Sequence, residues 1–502
     1  MVAIPWQPKE YAYLGGGMNT SAASTYVGEG EFVTLENVEL STDGALRIRK
    51  GYKDVAVAES THLIGTGLFT RQPLTGSDEL LKTCKNAGAF KSAALKKRST
   101  STWTTISPTA FTLADHKYIQ PVQYNNVVYL FAFGGTNSVM KCDGTNFTEL
   151  AGAPDAQMGV LYYDRIWAAG DPTAPSTLYF TSAGDPDDYA TGTSGTISVA
   201  EGDGDVITGL GVLFNRLLVF KTDSIYAVDG NDLASFSIQK VTGDIGLVGA
   251  LTAVPVENRV VYQSRRCWAR TDGSTTVNIS EKIGPTRSSF SSTLEDRSCG
   301  LQLVGQNQVM FLVATDGASA LNRVMLYTYS SSINEAITST NLPVDGWTLY
   351  TPFPFAAMAL FSQKVYFLGA TDGKLYIFLK DESDVVISTD NGTPVTAVIK
   401  SRWMDHDAPH LTKFWRRITF VFETSGTVSS YNYVALLGVP ASSHLRFKIV
   451  LVSGVATITF YTDFDETTVD QTLSATVPSN DIIGLQSYII DAQVVGDRVP
   501  RL

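Results

Sequence analysis

Two short acidic stretches hold the side chains that could do chemistry in this sequence, and a third, 463–466, resembles them. Paired carboxylates can cleave a glycosidic bond, and clustered carboxylates can bind Ca²⁺. None of the stretches has the spacing and final Glu of an EF-hand loop, and Asp beside Gly or Pro is typical of turns. We therefore interpret them as turns. Their acidic residues are Asp185, Asp187 and Asp188 in the first stretch and Glu201, Asp203 and Asp205 in the second.

Histidine and cysteine spacing gives no stronger sign of a catalytic or metal site. His406 and His410 have the spacing of zinc ligands on a helix, but Pro409 disfavours a helix and no Glu follows His406. We predict a polar loop there. The 4 cysteines form no CxxC pair, so we expect buried, reduced thiols. The sequence predicts no enzyme, no metal and no cofactor.

Composition narrows the class of protein. The chain has 502 residues, with 38 Lys and Arg against 49 Asp and Glu, and its net charge of −11 argues against a basic clamp for nucleic acid. Charged residues make up 17%, below the roughly 25% usual in globular domains, and 42 glycines favour strands and turns. No apolar stretch approaches the roughly 18 residues of a membrane span, so we expect no membrane anchor.

A repeated pattern organises the middle of the chain. A polar turn, often containing Asn, is followed by four to six β-branched or aromatic residues and then by a second strand. The copies begin about 48 residues apart, which is the length of one four-stranded propeller blade. The copies begin at residues 78, 125, 163, 215, 258, 307 and 363. The pattern predicts an all-β protein with a β-propeller of six to eight blades.

Two further regions flank this predicted propeller, which we place at 61–394. Residues 1–60 contain a Gly-rich stretch and a hairpin pattern, and we predict a flexible N-terminal arm and hairpin. Residues 395–502 alternate apolar and polar positions between Gly and Ser turns, which predicts a C-terminal antiparallel β-sandwich-like domain. The alternative is a row of unrelated hairpins in two stacked sandwiches.

Several short motifs of this sequence resemble motifs of one protein family. Three motifs follow one another near the N-terminus: "G-x-N", then "a-x-N-v" and then "G-x-L-r-x-R-x-G". Other recurring motifs are spread over most of the chain. The chain resembles the tail nozzle family of short-tailed bacteriophages, also called tail tubular protein B or tail hub, and the related packaged-DNA stabilisation proteins. The motifs lie at 17–20, 32–38, 43–52, 163–170, 178–188, 214–226, 243–246 and 413–419.

The resemblance implies a structural protein of the virion, made in the cytoplasm of the host bacterium. Six copies would form a ring beneath the tail adaptor, near tail fibres or spikes, and double-stranded DNA would pass without sequence-specific binding. An acidic wall would repel phosphates. We expect the acidic residues named above at a DNA channel or gate. We expect subunit contacts at Gly15, Gly16, Gly17, Asn19, Arg416 and Arg417.

Two other functions are compatible with the same patterns. One is a carbohydrate-binding or glycan-cleaving propeller at the tail tip, which predicts acids and exposed aromatic residues on one propeller face. The other is a tip or hub component of a longer tail. The tryptophans favour a role in the core over sugar stacking, because they lie within strand patterns. These are Trp103, Trp167, Trp268, Trp347, Trp403 and Trp415.

Overall fold

In the computed structural model, nearly all of the regular secondary structure is β-strand. The structure describes residues 7–41, 43–55, 63–86, 93–99, 102–109, 111–330, 345–407, 411–425, 430–462, 464–476 and 482–495. The first strands are β1 (Gln7–Tyr11), β2 (Gly17–Met18), β3 (Glu31–Phe32), β4 (Thr34–Glu36), β5 (Val38–Leu40), β6 (Leu46–Ile48) and β7 (Tyr52–Asp54).

Seven consecutive four-stranded units follow within the described residues. Blade 1 contains β8 (Ile64–Arg71), β9 (Glu79–Lys85), β10 (Ala93–Arg98) and β11 (Trp103–Ile106). Blade 2 contains β13 (Tyr118–Tyr124), β14 (Val127–Phe133), β15 (Met140–Cys142) and β16 (Phe147–Glu149), with the short β12 (Pro108–Thr109) beside β16. Blade 3 contains β17 (Met158–Tyr162), β18 (Arg165–Ala169), β19 (Thr177–Phe180) and β20 (Gly195–Ser198).

The remaining blades repeat this order of strands. Blade 4 contains β21 (Ile207–Leu213), β22 (Arg216–Lys221), β23 (Ile225–Asp229) and β24 (Ser237–Thr242). Blade 5 contains β25 (Val254–Val256), β26 (Arg259–Gln263), β27 (Trp268–Thr271) and β28 (Thr276–Asn278). Blade 6 contains β29 (Cys299–Leu303), β30 (Gln308–Val313), β31 (Arg323–Thr328) and β32 (Gly346–Tyr350). Blade 7 contains β33 (Phe355–Phe361), β34 (Lys364–Gly369) and β35 (Leu375–Phe378), and its fourth strand is β7.

The first strands of successive blades pack side by side around one axis, and β33 of blade 7 returns to β8 of blade 1. This closed ring makes the chain a seven-bladed β-propeller, within the range expected from the repeats. All seven predicted repeats coincide with the second strand of a blade. These strands are buried on both sides, as the uninterrupted apolar runs predict.

Tight turns join the first and second strands of most blades. They require left-handed backbone, which Asn and Gly adopt most readily. Non-glycine residues occupy such conformations in blades 2 to 7, with φ between 45° and 62°. They are Asn125, Tyr163, Asp164, Phe214, Glu257, Asn307, Ser362 and Gln363.

Strands β36 (Thr389–Asp390) and β37 (Thr393–Pro394) extend the sheet of blade 7 beyond β7. The strands after them form the predicted sandwich. They are β38 (Ala397–Lys400), β39 (Thr412–Thr424), β40 (Ser430–Leu436), β41 (Leu445–Val452), β42 (Val455–Thr462), β43 (Gln471–Ala475) and β44 (Ile482–Val495). One sheet has the order β40-β39-β44-β6-β5, and the other contains β4-β38-β41-β42-β43. Buried Phe420, Phe447 and Phe460 pack between them.

The N-terminal region forms the predicted hairpin, β5 with β6, but its strands are built into the other domains and do not form a separate arm. Strand β7 completes blade 7, β4 joins β32 of blade 6 to β38 of the sandwich, and β5 and β6 belong to the other sandwich sheet. Sequence-local patterns cannot show such pairing, because the partners lie about 300 residues away. The propeller and the sandwich therefore share strands and one hydrophobic cluster.

Helical structure is limited to short segments. One α-helix, α1, spans Gly284–Ser288. The 3₁₀ turns are Ala250–Thr252, Glu281–Ile283, Glu295–Arg297 and Val304–Gln306. Within the described ranges, none of these segments has the length and apolar character of a membrane-spanning helix.

Candidate functional site

The four strands of each blade are lettered A to D, from the propeller axis outward. The propeller has two faces, and we name each face by the loops that lie on it. The AB face carries the A–B turns and the C–D loops. The DA face carries the B–C loops and the connections from strand D to the next blade. The acidic loop after β20 lies on the DA face, and the acidic loop between β19 and β20 lies on the AB face.

The acidic loop of the DA face joins blade 3 to blade 4. Asp203 accepts two hydrogen bonds from the Nζ of Lys221, at 2.8 and 2.9 Å, and the Lys221 side chain is fully buried. Desolvation, the largest single influence, acts to raise the pKa of Asp203, but the hydrogen bonds from Lys221 and from the Asp205 N–H together with the charges of Lys221 and Lys240 outweigh it, and the pKa is lowered. The carboxylate therefore neutralises a buried cation.

Two other acids of this loop have different surroundings. Asp205 accepts hydrogen bonds from the backbone N–H of Thr222 at 2.8 Å and from the hydroxyl of Ser224 at 2.8 Å, which fastens the loop to the B–C turn of blade 4. Glu201 is exposed and accepts one hydrogen bond from Ser198. Of the three acids, Glu201 makes the fewest contacts that hold the loop in place.

The acidic loop of the AB face is also held by its own carboxylates. Asp188 accepts hydrogen bonds from the Ser182 hydroxyl and from the backbone N–H groups of Thr191 and Ala190, and these lower its pKa to about 2. Asp187 accepts from the Tyr129 hydroxyl at 2.6 Å and forms an ion pair with Lys141. Asp185 is exposed and caps its own turn through the N–H of Asp187.

The structure therefore does not bring the two predicted gate clusters together. They lie on opposite faces of the propeller, and four of the six acids have partners that fix a loop. This arrangement agrees with the interpretation of both stretches as turns. Whether either loop faces DNA in an assembly stays a prediction.

A different kind of site lies between the blades. At the DA face, blades 2 to 4 enclose an apolar cavity of about 250 Å³. Its lining includes Tyr118, Phe133, Met158, Pro175, Val206 and Val248. Sequence reasoning missed this cavity because its residues come from separate blades and follow no motif.

The Gly-rich N-terminal segment is packed inside the chain. Strand β2 pairs with β3, and a Cβ at Gly17 would lie 2.7 Å from the Cα of Gly346 in blade 6. Gly15 and Asn19 are buried and Gly16 is half-buried, and the Asn19 side chain donates a hydrogen bond to Glu31 at 2.7 Å. The segment is therefore packed within the chain and is not the flexible arm that we expected, while a subunit contact at these residues stays a prediction.

Arg416 and Arg417 lie on the outer face of the sandwich, where a β-bulge in β39 directs both side chains outward. Arg417 forms an ion pair with Asp491 at 3.1 Å and lies opposite Leu436 in the neighbouring strand. Both arginines are exposed. Their placement is compatible with the predicted subunit contact, which stays a prediction.

The remaining candidate groups are structural. His410 lies outside the described residues, and the described ranges contain no group of three or more metal-ligating side chains. The four cysteines are buried and unpaired with one another, as expected, and burial raises the pKa of Cys142 to about 11. Five of the six tryptophans considered above are buried, while Trp103 is half-buried.

Comparisons with known proteins return similarities of structure alone. No family model matches the chain, and no curated protein matches it. The β-propeller domain of the Trilobed protease from Pyrococcus furiosus has 9% identity and a TM-score of 0.38, over 66% of this chain and 100% of that one. The WD40 domain of Neurospora crassa Pan2 has 8% identity and a TM-score of 0.37, over 66% and 94%. The WD40 domain of Toxoplasma gondii coronin has 11% identity and a TM-score of 0.38, over 72% and 92%.

Proposed function

We propose that this chain is a structural subunit of a bacteriophage tail nozzle, a ring that retains the packaged genome and later conducts it out of the particle. The observation that carries the proposal is the position, in the structure, of the N-terminal motif at 43–52, which resembles a motif of the nozzle family. This motif runs from β6 of the sandwich to β7 of blade 7. Arg47 pairs with Glu423 inside the sandwich sheet, while Arg49 binds Asp390 and Gly51 packs on Thr389, both on β36 of the blade 7 sheet. The motif is thus held at one end by the sandwich and at the other by the propeller.

Such a joint suits a subunit that must transmit force without deforming. Strand β4 pairs with β32 of blade 6 and with β38 of the sandwich, so the two domains cannot separate without loss of sheet pairing. A rigid subunit with two differently shaped ends is also what a closed ring of identical copies requires. The net charge of −11 disfavours tight binding of DNA, because few phosphates would be neutralised.

The DNA path in this proposal runs through the centre of the ring of subunits. It does not run through a propeller, because the seven innermost strands pack against each other in a closed ring. Contacts with an adaptor above the ring and with fibres or spikes belong to the same proposal.

The experiment is a count of copies in purified virus particles by quantitative mass spectrometry, combined with electron cryo-microscopy of the tail. Six copies in a ring below the adaptor would support the proposal. Three copies, or a peripheral position, would favour a fibre or receptor-binding role and contradict it. Absence from the particle would contradict any virion function.

Two lysine variants then test whether either acidic loop lines the DNA channel. Glu201→Lys adds a positive charge to the DA face without removing a partner of a buried group. If this loop faces the DNA path, ejection slows, because a lysine in the channel attracts phosphates. Asp185→Lys makes the same test on the AB face. Unchanged ejection in both variants would remove the two loops from the channel.

A second candidate function has one observation in its favour. Exposed Tyr163 and Phe214 lie near Asp164 and Asp232 on the AB face, and a glycan-binding propeller predicts such a grouping. The buried tryptophans do not contribute to it. Binding of the purified chain to host polysaccharide, lost in Tyr163→Ala, would favour this function, and an absence of binding would contradict it.

A further inference from the structure

An exposed aromatic patch covers the AB face at blades 3 and 4. Phe214 is 68% exposed and Tyr163 is 41% exposed, and each occupies the A–B turn of its blade. The buried Tyr162 connects the two turns, because its ring lies 4.6 Å from that of Tyr163 and its hydroxyl donates to the carbonyl of Asn215. Exposed Leu161 and Leu233 extend this surface. We call these four exposed residues, Leu161, Tyr163, Phe214 and Leu233, the aromatic patch.

The backbone beneath the patch is strained. Tyr163 has φ of 45° and Phe214 has φ of 51°, a left-handed conformation that bulky side chains rarely adopt. Neither side chain gains burial within the subunit from this conformation. The same conformation occurs in the A–B turns of blade 2 and of blades 5 to 7, so it follows from the turn, and what distinguishes blades 3 and 4 is the exposed aromatic side chain at that position.

Acidic side chains surround the patch. Asp164, Asp185 and Asp232 are exposed around it. The nearby cations are engaged within the chain: Arg165 is buried and donates to the Thr181 and Thr193 carbonyls, and Arg216 forms an ion pair with Asp229. The surface therefore combines apolar area with negative charge, and its complement is an apolar surface with positive charge.

The sandwich carries an apolar surface with two exposed arginines, of which Arg417 also forms an ion pair with Asp491. Leu436 is 69% exposed on β40, Phe414 is 53% exposed on β39, and Arg416 and Arg417 lie between them in the sequence and in the sheet. Strand β40 forms the edge of its sheet, so this corner faces outward. We call Phe414, Arg416, Arg417 and Leu436 the sandwich corner.

The two surfaces cannot meet within one subunit. The aromatic patch lies on blades 3 and 4, whereas the sandwich is joined to blade 6 through β32 and β4. Contact between them in a pair of molecules would join different surfaces of identical copies. Such head-to-tail contacts produce closed rings when the rotation closes.

We propose that the aromatic patch of one copy binds the sandwich corner of a second copy of this chain. Phe414 and Leu436 pack on Phe214 and Tyr163, Arg416 lies against an aromatic face, and the acidic rim pairs with the arginines. The proposal rests on the ring assembly proposed above, to which it assigns the subunit contact.

Charge reversal tests the contact directly. One variant carries Asp164→Arg and Asp232→Arg on the patch, and the other carries Arg416→Asp and Arg417→Asp on the corner. Each alone places like charges opposite each other, so self-association of the purified full chain, measured by sedimentation and mass photometry, should weaken at least about tenfold. An equimolar mixture should recover assembly, because each variant then meets a complementary copy. The matched control is Glu201→Arg with Asp223→Arg on the DA face.

A second, uncharged variant guards against an effect on folding alone. Phe214→Ser should also weaken association while leaving the circular dichroism spectrum and melting temperature of the monomer unchanged. The proposal is overturned by reversed variants that assemble like the wild type, by a mixture that fails to recover, or by a wild type that stays monomeric at every concentration. Binding of Phe214 and Tyr163 to a polysaccharide without self-association would also overturn it.

These results are separable from the test of function. If the chain is absent from virus particles, the nozzle proposal fails, while the association of purified copies still decides the contact. If six copies are present and both reversed variants incorporate normally, the contact fails and the nozzle proposal stands.

Discussion

The guanidinium of Arg49 is fully buried and binds the carboxylate of Asp390 through two parallel hydrogen bonds, of 2.8 and 2.5 Å. Its Nε donates to the side chain of Asn37 at 2.8 Å, and its plane lies 5.3 Å from the rings of Tyr350 and Phe353. Arg49 precedes β7, and Asp390 lies on β36, the neighbour of β7 in the sheet of blade 7. This pair therefore holds the outer part of the blade 7 sheet, where the chain enters from the sandwich strand β6.

We expect Asp390→Ala to destabilise the protein by about 3–5 kcal/mol, because the Arg49 cation would stay buried without its partner. Replacing both residues, as Arg49→Met with Asp390→Leu, should recover much of the loss, because no unpaired charge remains. Chemical denaturation measures both values. Lys53→Ala, which breaks an exposed pair with Asp381, is the control and should change stability by less than about 1 kcal/mol. If Asp390→Ala and Lys53→Ala lost similar amounts of stability, the result would contradict the role assigned to the pair of Arg49 and Asp390.

The pair of Asp203 and Lys221 predicts a pH-dependent difference between variants. The folded protein lowers the pKa of Asp203, mainly through the hydrogen bond from Lys221, so the native state favours the charged carboxylate. The resulting stability is complete above the ordinary value of 3.8 and is lost as the pH falls through the lower folded value. Asp203→Asn should therefore unfold more easily than the wild type at pH 7, and the difference should shrink below pH 4. Asp223→Asn, on the same face, should match the wild type, and a difference independent of pH would count against this account.

Local sequence patterns predicted the propeller and the sandwich well. Each buried second strand carries a continuous apolar run after a polar turn, and this signal lies within ten residues. The placement of β4 and β7 was not predictable in this way. Their partners, Leu349 and Ile377, lie far along the chain, and nothing in a three-residue strand specifies a partner at that distance.

The acidic residues illustrate a second limit. Asp beside Gly correctly indicated turns, but the sequence around Asp203 gives no sign that Lys221 lies buried beneath it. Likewise the Gly-rich segment at Gly15 looked mobile, whereas its glycines permit close packing against Gly346. Composition shows that glycine permits many conformations, and the tertiary structure decides whether that freedom serves motion or close contact.

The buried His116 predicts loss of stability in acid. Its Nδ1–H donates to the Ala114 carbonyl at 2.9 Å, its Nε2 lies 2.9 Å from the Thr66 hydroxyl, and burial lowers its pKa to about 4. Above pH 6.5 the ring is neutral in both states and makes no pH-dependent contribution. Between pH 6.5 and 4 the unfolded chain binds the proton first, which destabilises the fold by up to about 3 kcal/mol.

The measurement for His116 is the unfolding free energy across that interval. Wild type and His116→Gln should converge as the pH falls from 6.5 to 4, because the glutamine variant lacks this titration. Parallel curves would contradict the role of burial. Carboxylates titrate in both proteins, so the difference between the curves isolates the histidine.

Gly51 lies in the short segment that connects β6 of the sandwich with β7 of blade 7, and its packing gives the last prediction. A Cβ added there would lie 2.0 Å from the carbonyl oxygen of Thr389 and 2.4 Å from its carbonyl carbon, and both are backbone atoms that cannot rotate away. Gly51→Ala should therefore separate β7 from its neighbours and destabilise the protein by about 1–3 kcal/mol or more. Gly438→Ala is the matched control, because nothing lies within 4 Å of its added Cβ. Hydrogen exchange should show the loss of protection first at Tyr52–Asp54 and along β35, since these strands complete blade 7. Equal melting temperatures for the two alanine variants would show that the joint accommodates a side chain and would remove Gly51 from the account of how the propeller is fixed to the sandwich.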